Sequence, residues 1–510
     1  MIEIDGHSLT IEEIVRVARG RETVRLNQSG VENIQRGRAC LEGILASGKP
    51  VYGINTGFGI FADRSIPAEQ SAQLSRNLIL SHAVGTGASF SEDVVRAAML
   101  VRANTLSKGF SGVRLVVVET LLEMLNRGVT PIVPSQGSLG SSGDLGPLSH
   151  MAMVFTTGED DSEINSGQAI YMGDVVSGKA AMSRAGIERI VLGPKEGLAI
   201  NNGATFAAAL ASLAAFDAEV LADTADTAMA MSFEALLGCS AAFDPRLHHA
   251  RGQKGQVLVA ERIKALTSGS NLMDSTGRIQ DAYSLRCAPQ VHGAVRDTIE
   301  HVRQVVSAEI NAATDNPLLF EECVAISGGK FHGEPIGMVM DFLGIALSEL
   351  AAISERRTFR LTDGKLSQGL PPMLVEDGQA AGLNSGLMMP QYTAASLVLE
   401  NQTLASPDSV RSLPTSGEQE DHNANATTAA RHASDIAGNT STVLAIELFS
   451  AKRALDLRKK EFPQAALGKG TGQAYQKIAG AIKEIGSDRF WKPDIDLIRQ
   501  MVLAGEFRVK

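Results

Sequence analysis

The hydrophobic positions of this chain fall mainly in long runs of a kind that favours helices. The segment from Phe206 to Leu237 is rich in Ala, Leu and Met and contains no Gly or Pro, so we predict one long helix there. Ile336 to Thr358 is apolar on nearly every side over most of its length, which is typical of a helix in the middle of a bundle. Val291 to Thr314 and Ala426 to Leu455 predict two further helices of comparable length.

Strand-like alternation of apolar and polar residues is scarce along the chain. It occurs in short stretches such as those at Val191 and from Pro131 to Val133, so we predict a mainly α protein. A length of 510 residues exceeds the usual size of one compact domain. The best boundary lies near Gly193-Pro194, between a loop-rich N-terminal part (1–193) and a C-terminal part of long helices (194–510).

Glycine-rich loops separate the helical segments. Three of them are YGINTGFG (Tyr52 to Gly59), GSLGSSGDLG (Gly137 to Gly146) and ISGGKFHGEP (Ile326 to Pro335). Loops on a rigid helical scaffold commonly carry function, so these loops are the first candidates for an active site.

Composition and charge narrow the class of partner. The chain is 44% hydrophobic and 20% charged, which is ordinary for a soluble enzyme. Its net charge of -10 disfavours nonspecific binding to nucleic acid or to an anionic membrane, so a small molecule is the more natural partner. The opening MIEIDGHSLT does not resemble a signal peptide, and the weakly polar stretch from Gly203 to Phe216 is too short to span a bilayer. We therefore expect a cytoplasmic protein.

The four cysteines lie far apart in the sequence. Cys40, Cys239, Cys287 and Cys323 form no CxxC pair and no Cys/His set of the kind that binds zinc. We expect neither a metal site nor a disulfide framework.

The loop from Gly137 to Pro147 carries the most informative chemistry. A phosphate-binding loop is excluded because no Lys-Ser/Thr follows the glycines. One interpretation is a turn into a helix, with Asp144 at the N-cap and Pro147 in the first turn. The other is a self-modifying loop, in which the Gly143 amide nitrogen closes on a preceding carbonyl and a Ser loses water to leave an electrophilic methylidene group. Spacing alone does not decide between the two.

The segment from Gly137 to Leu148 resembles GS-x-GASGDLAPL of the histidine and aromatic amino acid ammonia-lyase family, with Ser141 and Gly146 where the family usually has Ala. The resemblance implies that Ser141, Ser142 and Gly143 cyclise autocatalytically to 4-methylideneimidazol-5-one (MIO), with no metal. It also implies an aspartase/fumarase-like fold, with a long central helical bundle and a loop-rich N-terminal active-site part. A further implication is a homotetramer whose subunits share active sites.

Two other motifs extend the resemblance. YGINTGFG looks like the family's lid motif, which implies that Tyr52 abstracts the β-proton of the substrate. KEGLAINNG (Lys195 to Gly203) is similar to KEGLALxNG, which implies that Asn202 hydrogen-bonds the MIO oxygen. Asn201 occupies a position that is usually aliphatic.

A third motif supplies candidates for substrate binding. QDAYSLRCAPQ, which begins at Gln280, resembles QDxYSLRCxPQ, which implies that Tyr283 lies near the MIO and the amine. Arg286 would clamp the substrate carboxylate with its bidentate guanidinium, although a surface salt bridge is the alternative. Asn316 in the ATDNPL run is a further candidate for the carboxylate site.

Two markers favour histidine as the substrate. LSHAVGTG (Leu80 to Gly87) is similar to the LSHAAGVG of histidine-specific members and contains the pair Ser81-His82. QEDH, which ends at His422, places Glu420 where aromatic-specific members usually carry Gln. A carboxylate and an imidazole can hold the substrate ring by hydrogen bonds.

Departures from the family pattern keep other substrates open. Lys330 stands where the family usually has Asn, and the run Asn423-Ala424-Asn425 replaces VSM. A buried cation at Lys330 would favour a modified histidine, whereas a solvated lid lysine would be neutral to substrate choice. The rival functions are an aminomutase, a lyase for another aromatic amino acid, and an inactive binding or scaffold protein. Intact Ser142 and Arg286 argue against the last.

Overall fold

The computed structural model describes residues 1–57, 59–61, 63–159, 161–376, 380–484 and 486–508. The chain forms two compact units. The first unit comprises Met1–Phe216, Arg303–Asp341 and Pro407–Arg431, and the second comprises Asp217–Val302, Phe342–Ser406 and His432–Lys510. The boundary proposed near Gly193-Pro194 stays a prediction.

Helices dominate the described residues, so the prediction of a mainly α protein is confirmed. The helices are α1 (Ile11–Ala18), α2 (Gln28–Ala46), α3 (Ser71–His82), α4 (Glu92–Ser107), α5 (Leu115–Arg127), α6 (Leu145–Phe155), α7 (Gly178–Arg184), α8 (Glu196–Asn201), α9 (Thr205–Ala235), α10 (Pro245–Arg251), α11 (Lys254–Leu266), α12 (Tyr283–Arg286), α13 (Ala288–Glu309), α14 (Glu334–Thr362), α15 (Met388–Leu404), α16 (Ala426–Glu461), α17 (Lys469–Ala481) and α18 (Lys492–Leu503).

The strands are short and lie in the first unit. They are β1 (Ile2–Ile4), β2 (Val24–Leu26), β3 (Thr86–Ser89), β4 (Thr130–Pro131), β5 (Pro134–Gln136), β6 (Thr156–Thr157), β7 (Gln168–Tyr171), β8 (Asp174–Ser177), β9 (Ile190–Val191), β10 (Leu318–Phe320) and β11 (Val324–Ile326). The pairs β1-β2 and β6-β9 are parallel, whereas β3-β5, β10-β11 and the three-stranded β4-β7-β8 are antiparallel. These small sheets brace loops between helices.

The four long helices predicted from hydrophobic runs are confirmed as α9, α13, α14 and α16. Their ends differ from the predicted ones by a few residues, except that α16 continues to Glu461 and α13 stops at Glu309. The prediction for α13 was too long because the chain leaves helical geometry after Glu309 and turns at Ile310 to Ala312.

Two of these helices are long and apolar enough to cross a bilayer by length and composition. In α9 and α14 the most apolar window is 83% and 72% buried inside the protein, respectively. Burial of this extent is typical of core helices, since a spanning helix turns most of its surface to lipid.

Helix α4 forms the centre of the first unit and orients the segment after α8. Every residue from Val94 to Ser107 is buried. Within α4, the guanidinium of Arg102 donates to the carbonyl of Ala199 at 3.2 Å and to the hydroxyl of Thr205. These bonds fix the end of α8 and the start of α9, and the link between the two helices contains Asn202 and Gly203.

A disulfide corrects the expectation drawn from cysteine spacing. Cys40 in α2 is bonded to Cys323 before β11, with the two Cα atoms 5.0 Å apart. Cys40 belongs to a small apolar cluster that includes Ile54 and Leu319. The sequence predicted no disulfide framework and did not anticipate this bond, because the partners are 283 residues apart in sequence and are brought together by packing of α2 against the β10-β11 hairpin.

Candidate active site

The loop that follows β5 leads into α6, and Asp144 is its N-cap residue as predicted. The Asp144 side chain does not cap the helix. It accepts hydrogen bonds from Ser138 Oγ at 2.8 Å, from the Ala207 amide at 3.0 Å and from Thr427 Oγ1. Burial raises the pKa of this carboxyl, and the three donors only partly offset the effect. Asp144 therefore joins the loop to α9 and α16.

Gly143 lies directly against Gly203. The Asp144 amide donates to the Gly203 carbonyl at 2.9 Å, and the Gly203 amide donates to the Ser142 carbonyl at 3.1 Å. Gly143 has a φ of 78°, and a Cβ added to it would lie 2.0 Å from the carbonyl carbon of Gly203. A side chain at this position is thus excluded both by backbone conformation and by space.

Ser142 is held from two sides. Its carbonyl oxygen accepts a second hydrogen bond, from Asn202 Nδ2 at 2.7 Å. Its hydroxyl donates to Glu420 Oε1 at 2.7 Å. The structure thus brings together three of the residues selected from separate motifs, with two donors on the carbonyl and a carboxylate on the hydroxyl.

Ser141 contacts a residue that the motifs did not single out for the site. Its hydroxyl donates to Asn423 Oδ1, and both side chains are buried. Sequence analysis noted each residue as a departure from the family pattern but did not connect them. No signal in the sequence links positions that are 282 residues apart.

Ser81 and His82 end helix α3. Ser81 Oγ lies 3.0 Å from His82 Nδ1. Burial lowers the pKa of the His82 imidazole, while the Leu78 carbonyl and the Glu420 carboxylate act in the opposite direction. An imidazole with a lowered pKa is neutral at pH 7, so one ring nitrogen can donate and the other can accept.

Asn316 and Lys330 contact each other through the loop after β11. The Lys330 ammonium donates to Asn316 Oδ1 at 2.6 Å, and the Gly328 amide donates to the same oxygen at 2.9 Å. Lys330 is half-buried, and burial lowers the pKa of its ammonium, with Asp315 opposing the shift. Lys330 is therefore neither a fully solvated lysine nor a fully buried one, and it is held by an amide.

Tyr52 is half-buried in the turn that opens the YGINTGFG motif. Next to it, a Cβ added to Gly53 would lie 2.8 Å from Leu198 and 3.0 Å from Pro317. The turn thus lies beside α8 and beside the cis Asn316-Pro317 bond. Phe58 of the motif falls outside the described residues.

Tyr283 and Arg286 belong to α12 in the second unit. The Arg286 guanidinium lies over the Tyr283 ring, with 4.8 Å between its central carbon and the ring centroid. Within the described ranges the buried Nε of Arg286 has no hydrogen-bond partner. This donor could bind a carboxylate, but the Nε atoms of several other arginines are in the same state, so the carboxylate role of Arg286 stays a prediction.

Comparison with known proteins identifies the family. A family model described as aromatic amino acid lyase matches residues 9–480. The chain belongs to this family. It is 48% identical over 507 residues to a histidine ammonia-lyase of Caldanaerobacter subterraneus, an alignment that covers 99% of this chain and 97% of that protein.

Solved structures of family members are similar to this one. A histidine ammonia-lyase from Trypanosoma cruzi superposes with a TM-score of 0.90 at 37% identity and covers 99% of this chain and 94% of that one. A tyrosine aminomutase from Streptomyces globisporus superposes with a TM-score of 0.92 at 36% identity, with 99% and 97% covered. The predicted family and its helical fold are thus confirmed.

Proposed function

We propose that this protein is a histidine ammonia-lyase that converts L-histidine to urocanate and ammonia, using an MIO group formed from Ser141, Ser142 and Gly143. The observation that carries the proposal is the arrangement at Ser142, whose carbonyl accepts from Asn202 and Gly203 while its hydroxyl donates to Glu420. The 48% identity to a histidine ammonia-lyase along nearly the whole chain supports the choice of substrate.

The residues at the loop fit the MIO group. Gly143 is the residue whose nitrogen would enter the ring, and the contact with Gly203 leaves no room for a Cβ at this position. The Ser142 carbonyl, which would become the ring oxygen, already has two donors. When formed, the group supplies an electrophile that ordinary side chains lack and that assists departure of the amine.

The remaining residues divide the work of binding and proton transfer. Tyr52 takes the β-proton, which lies next to the carbon that loses the amine. Asn202 stabilises negative charge on the ring oxygen through its amide donor. Tyr283 contacts the amine. Arg286 binds the substrate carboxylate, for which its unpaired Nε is suited.

The substrate side chain is held by a separate group of residues. A neutral His82, its neighbour Ser81 and the Glu420 carboxylate can together donate to and accept from an imidazole ring. We also assign substrate-binding roles to Asn316, at the carboxylate, and to Lys330, which donates to Asn316. In this proposal the residues that bind the substrate side chain are separate from those that carry out the elimination.

The assembly and location follow the family resemblance. We propose a cytoplasmic homotetramer in which several subunits complete each active site. Measuring the mass of the native protein by light scattering tests the tetramer, and a monomer with full activity would contradict shared sites.

The first test is an assay of the purified protein with L-histidine, L-phenylalanine and L-tyrosine in parallel. We expect urocanate absorbance to rise with L-histidine alone and ammonia to be released in equal amount. Ser142→Ala should abolish this turnover and leave the helices folded by circular dichroism. Ser212→Ala, which alters another buried serine in α9, is the matched control. Full turnover by Ser142→Ala would refute the proposal.

An aminomutase is the second candidate, because the tyrosine aminomutase structure superposes as well as the lyase does. The products separate the two activities: a mutase forms a β-amino acid without net release of ammonia. An intact MIO by mass with no turnover of the three amino acids would favour a histidine derivative and make Lys330→Asn the next variant to test. Any turnover excludes the inactive binding or scaffold protein.

A further inference from the structure

Asn423 is fixed in the fold by every polar atom of its side chain. Its Nδ2 donates to the Leu413 carbonyl, and its backbone amide donates to Ser412 Oγ at 2.8 Å. A carbonyl can only accept, so the amide nitrogen must face Leu413 and the amide oxygen must face Ser141. The orientation of the amide is therefore determined by the network, and the Ser141 hydroxyl donates to its oxygen.

The segment that carries Asn423 also contacts Ser142, the second residue of the tripeptide Ser141-Ser142-Gly143. Thr415 and Glu420 are paired by backbone hydrogen bonds in both directions, which sets the position of the Glu420 carboxylate on Ser142. Asn423 and Glu420 thus approach adjacent residues of the ring-forming loop from a single braced segment.

The loop is bound on the other side of Ser141 as well. The Asn425 amide donates to the Leu139 carbonyl at 2.7 Å, and the Gly333 amide donates to the Gly140 carbonyl at 2.9 Å. Hydrogen bonds from two segments thus fix the backbone immediately before residues 141 to 143. The Asn423 side chain adds a contact to Ser141 itself.

We propose that Asn423 is a positioning residue for formation of the MIO group: it accepts from the buried Ser141 hydroxyl, which without an acceptor would turn away and displace the first residue of the ring. This inference rests on the proposed function. A serine at position 141 places a hydroxyl in a buried site, where it costs free energy unless it is hydrogen-bonded. Asn423 accepts a hydrogen bond from that hydroxyl and so removes the cost of burying it.

The covalent step involves only atoms of the loop. The Gly143 nitrogen bonds to the Ser141 carbonyl carbon, and the carbonyl oxygen leaves as water with one hydrogen from the Gly143 nitrogen and one from the Ser142 nitrogen. The Ser142 hydroxyl leaves as a second water with the hydrogen of its own Cα. No oxidant or external reactant is required, so the rate depends on how well residues 141 to 143 are held.

The test is intact-protein mass spectrometry after a short, fixed period of expression. A matured chain lacks the mass of two waters. Asn423→Val removes both the acceptor of the Ser141 hydroxyl and the donor to Leu413, and we expect its maturation to be slower by about tenfold. The double variant Ser141→Ala/Asn423→Val removes the stranded hydroxyl, so we expect most of the maturation rate to return while the melting temperature stays lowered by the lost bond to Leu413.

Controls separate this role from general destabilisation and from failure of the proposed function. Asn401→Val removes an equally buried asparagine in the second unit, and we expect it to lower stability without slowing maturation. A wild-type chain that never loses the two waters would refute the proposed function itself. A wild-type chain that matures, together with Asn423→Val maturing at the same rate or a double variant as slow as the single one, would refute the positioning role alone.

Discussion

Two fully buried aspartates, one in each unit, are held in opposite ways. Asp144 in the first unit accepts directly from neutral donors, and burial raises its pKa. Asp226 in the second unit accepts from His292 Nδ1 at 2.8 Å, from Arg262 Nε at 2.8 Å and from Arg296 Nη2 at 2.5 Å. Burial opposes its charge too, but Arg296, His292 and Arg262 outweigh burial and lower the pKa to about 2.

The difference teaches that burial alone does not decide whether a carboxylate keeps its charge. The nature of the partners decides it. Asp226 anchors α9 to α11 and α13 through cations, as expected of a residue that serves the fold. Asp144 directly follows Gly143 and has neutral partners, so its charge is poorly compensated and its bonds position the loop.

The largest effect is expected for Asp226→Asn. Arg262 and Arg296 would lose a buried counter-charge, so we expect a loss of about 3–5 kcal/mol in the free energy of unfolding. A carboxyl with a lowered pKa stabilises the fold above its ordinary pKa of 3.8, and that contribution is lost as the pH falls towards 2. Urea unfolding at several pH values should therefore show a difference from wild type that narrows below pH 3.8.

Asp496→Asn is the matched control for this variant. Asp496 pairs with Lys492 on the exposed face of α18, and exposed pairs contribute about 0–1 kcal/mol. An equal loss in both variants would contradict the view that Asp226 owes its effect to buried cations.

A smaller effect on stability is expected for Glu234→Gln. This variant tests whether the partners of a buried carboxyl, and not the unit in which it lies, set its pKa. Glu234 lies in the same unit as Asp226, but burial raises its pKa to about 7 and its oxygen accepts from the Gly468 amide at 2.8 Å. The folded chain keeps this proton while the unfolded chain loses it, so wild-type stability falls as the pH rises from 4.5 to about 7.

The glutamine variant keeps the acceptor and removes the titration. We expect a flatter profile of melting temperature against pH, with the variant more stable than wild type at pH 8 by roughly 1–3 kcal/mol. A profile that keeps the wild-type slope would mean that another group causes the dependence.

The smallest effect on stability is expected for Asp144→Asn. The change strands no directly paired cation, so we expect a loss of about 1 kcal/mol in the free energy of unfolding, measured alongside Asp226→Asn. A loss as large as that of Asp226→Asn would show that Arg102, whose pKa burial lowers to about 10 while Asp315 and Asp144 oppose the shift, depends on Asp144 for its charge.

Sequence patterns predicted the features that depend on neighbouring residues. The runs without Gly or Pro predicted α9 and α16 because helix propensity is local. The family motifs selected Asn202 and Glu420, and the structure brings both to Ser142. These contacts span 60 and 278 residues, so the family resemblance selected the residues and their neighbours in sequence did not.

Features that depend on packing between distant segments were not predictable. The contact of Ser141 with Asn423 and the bond of Cys40 with Cys323 each join segments more than 280 residues apart. The close approach of Gly143 to Gly203 likewise depends on how α6 packs beside α8. Nothing in the sequence around either member pairs it with the other, and only the fold brings the two together.

The sequence order of the loop's partners has a consequence for biosynthesis. Asn202 is made soon after the tripeptide, but Asn423 follows Ser141 by 282 residues and Thr427 follows Asp144 by 283. The ribosome must therefore translate most of the chain before the loop acquires all its supports. If residues 141 to 143 cyclise as proposed, the electrophile therefore first forms inside a nearly complete chain.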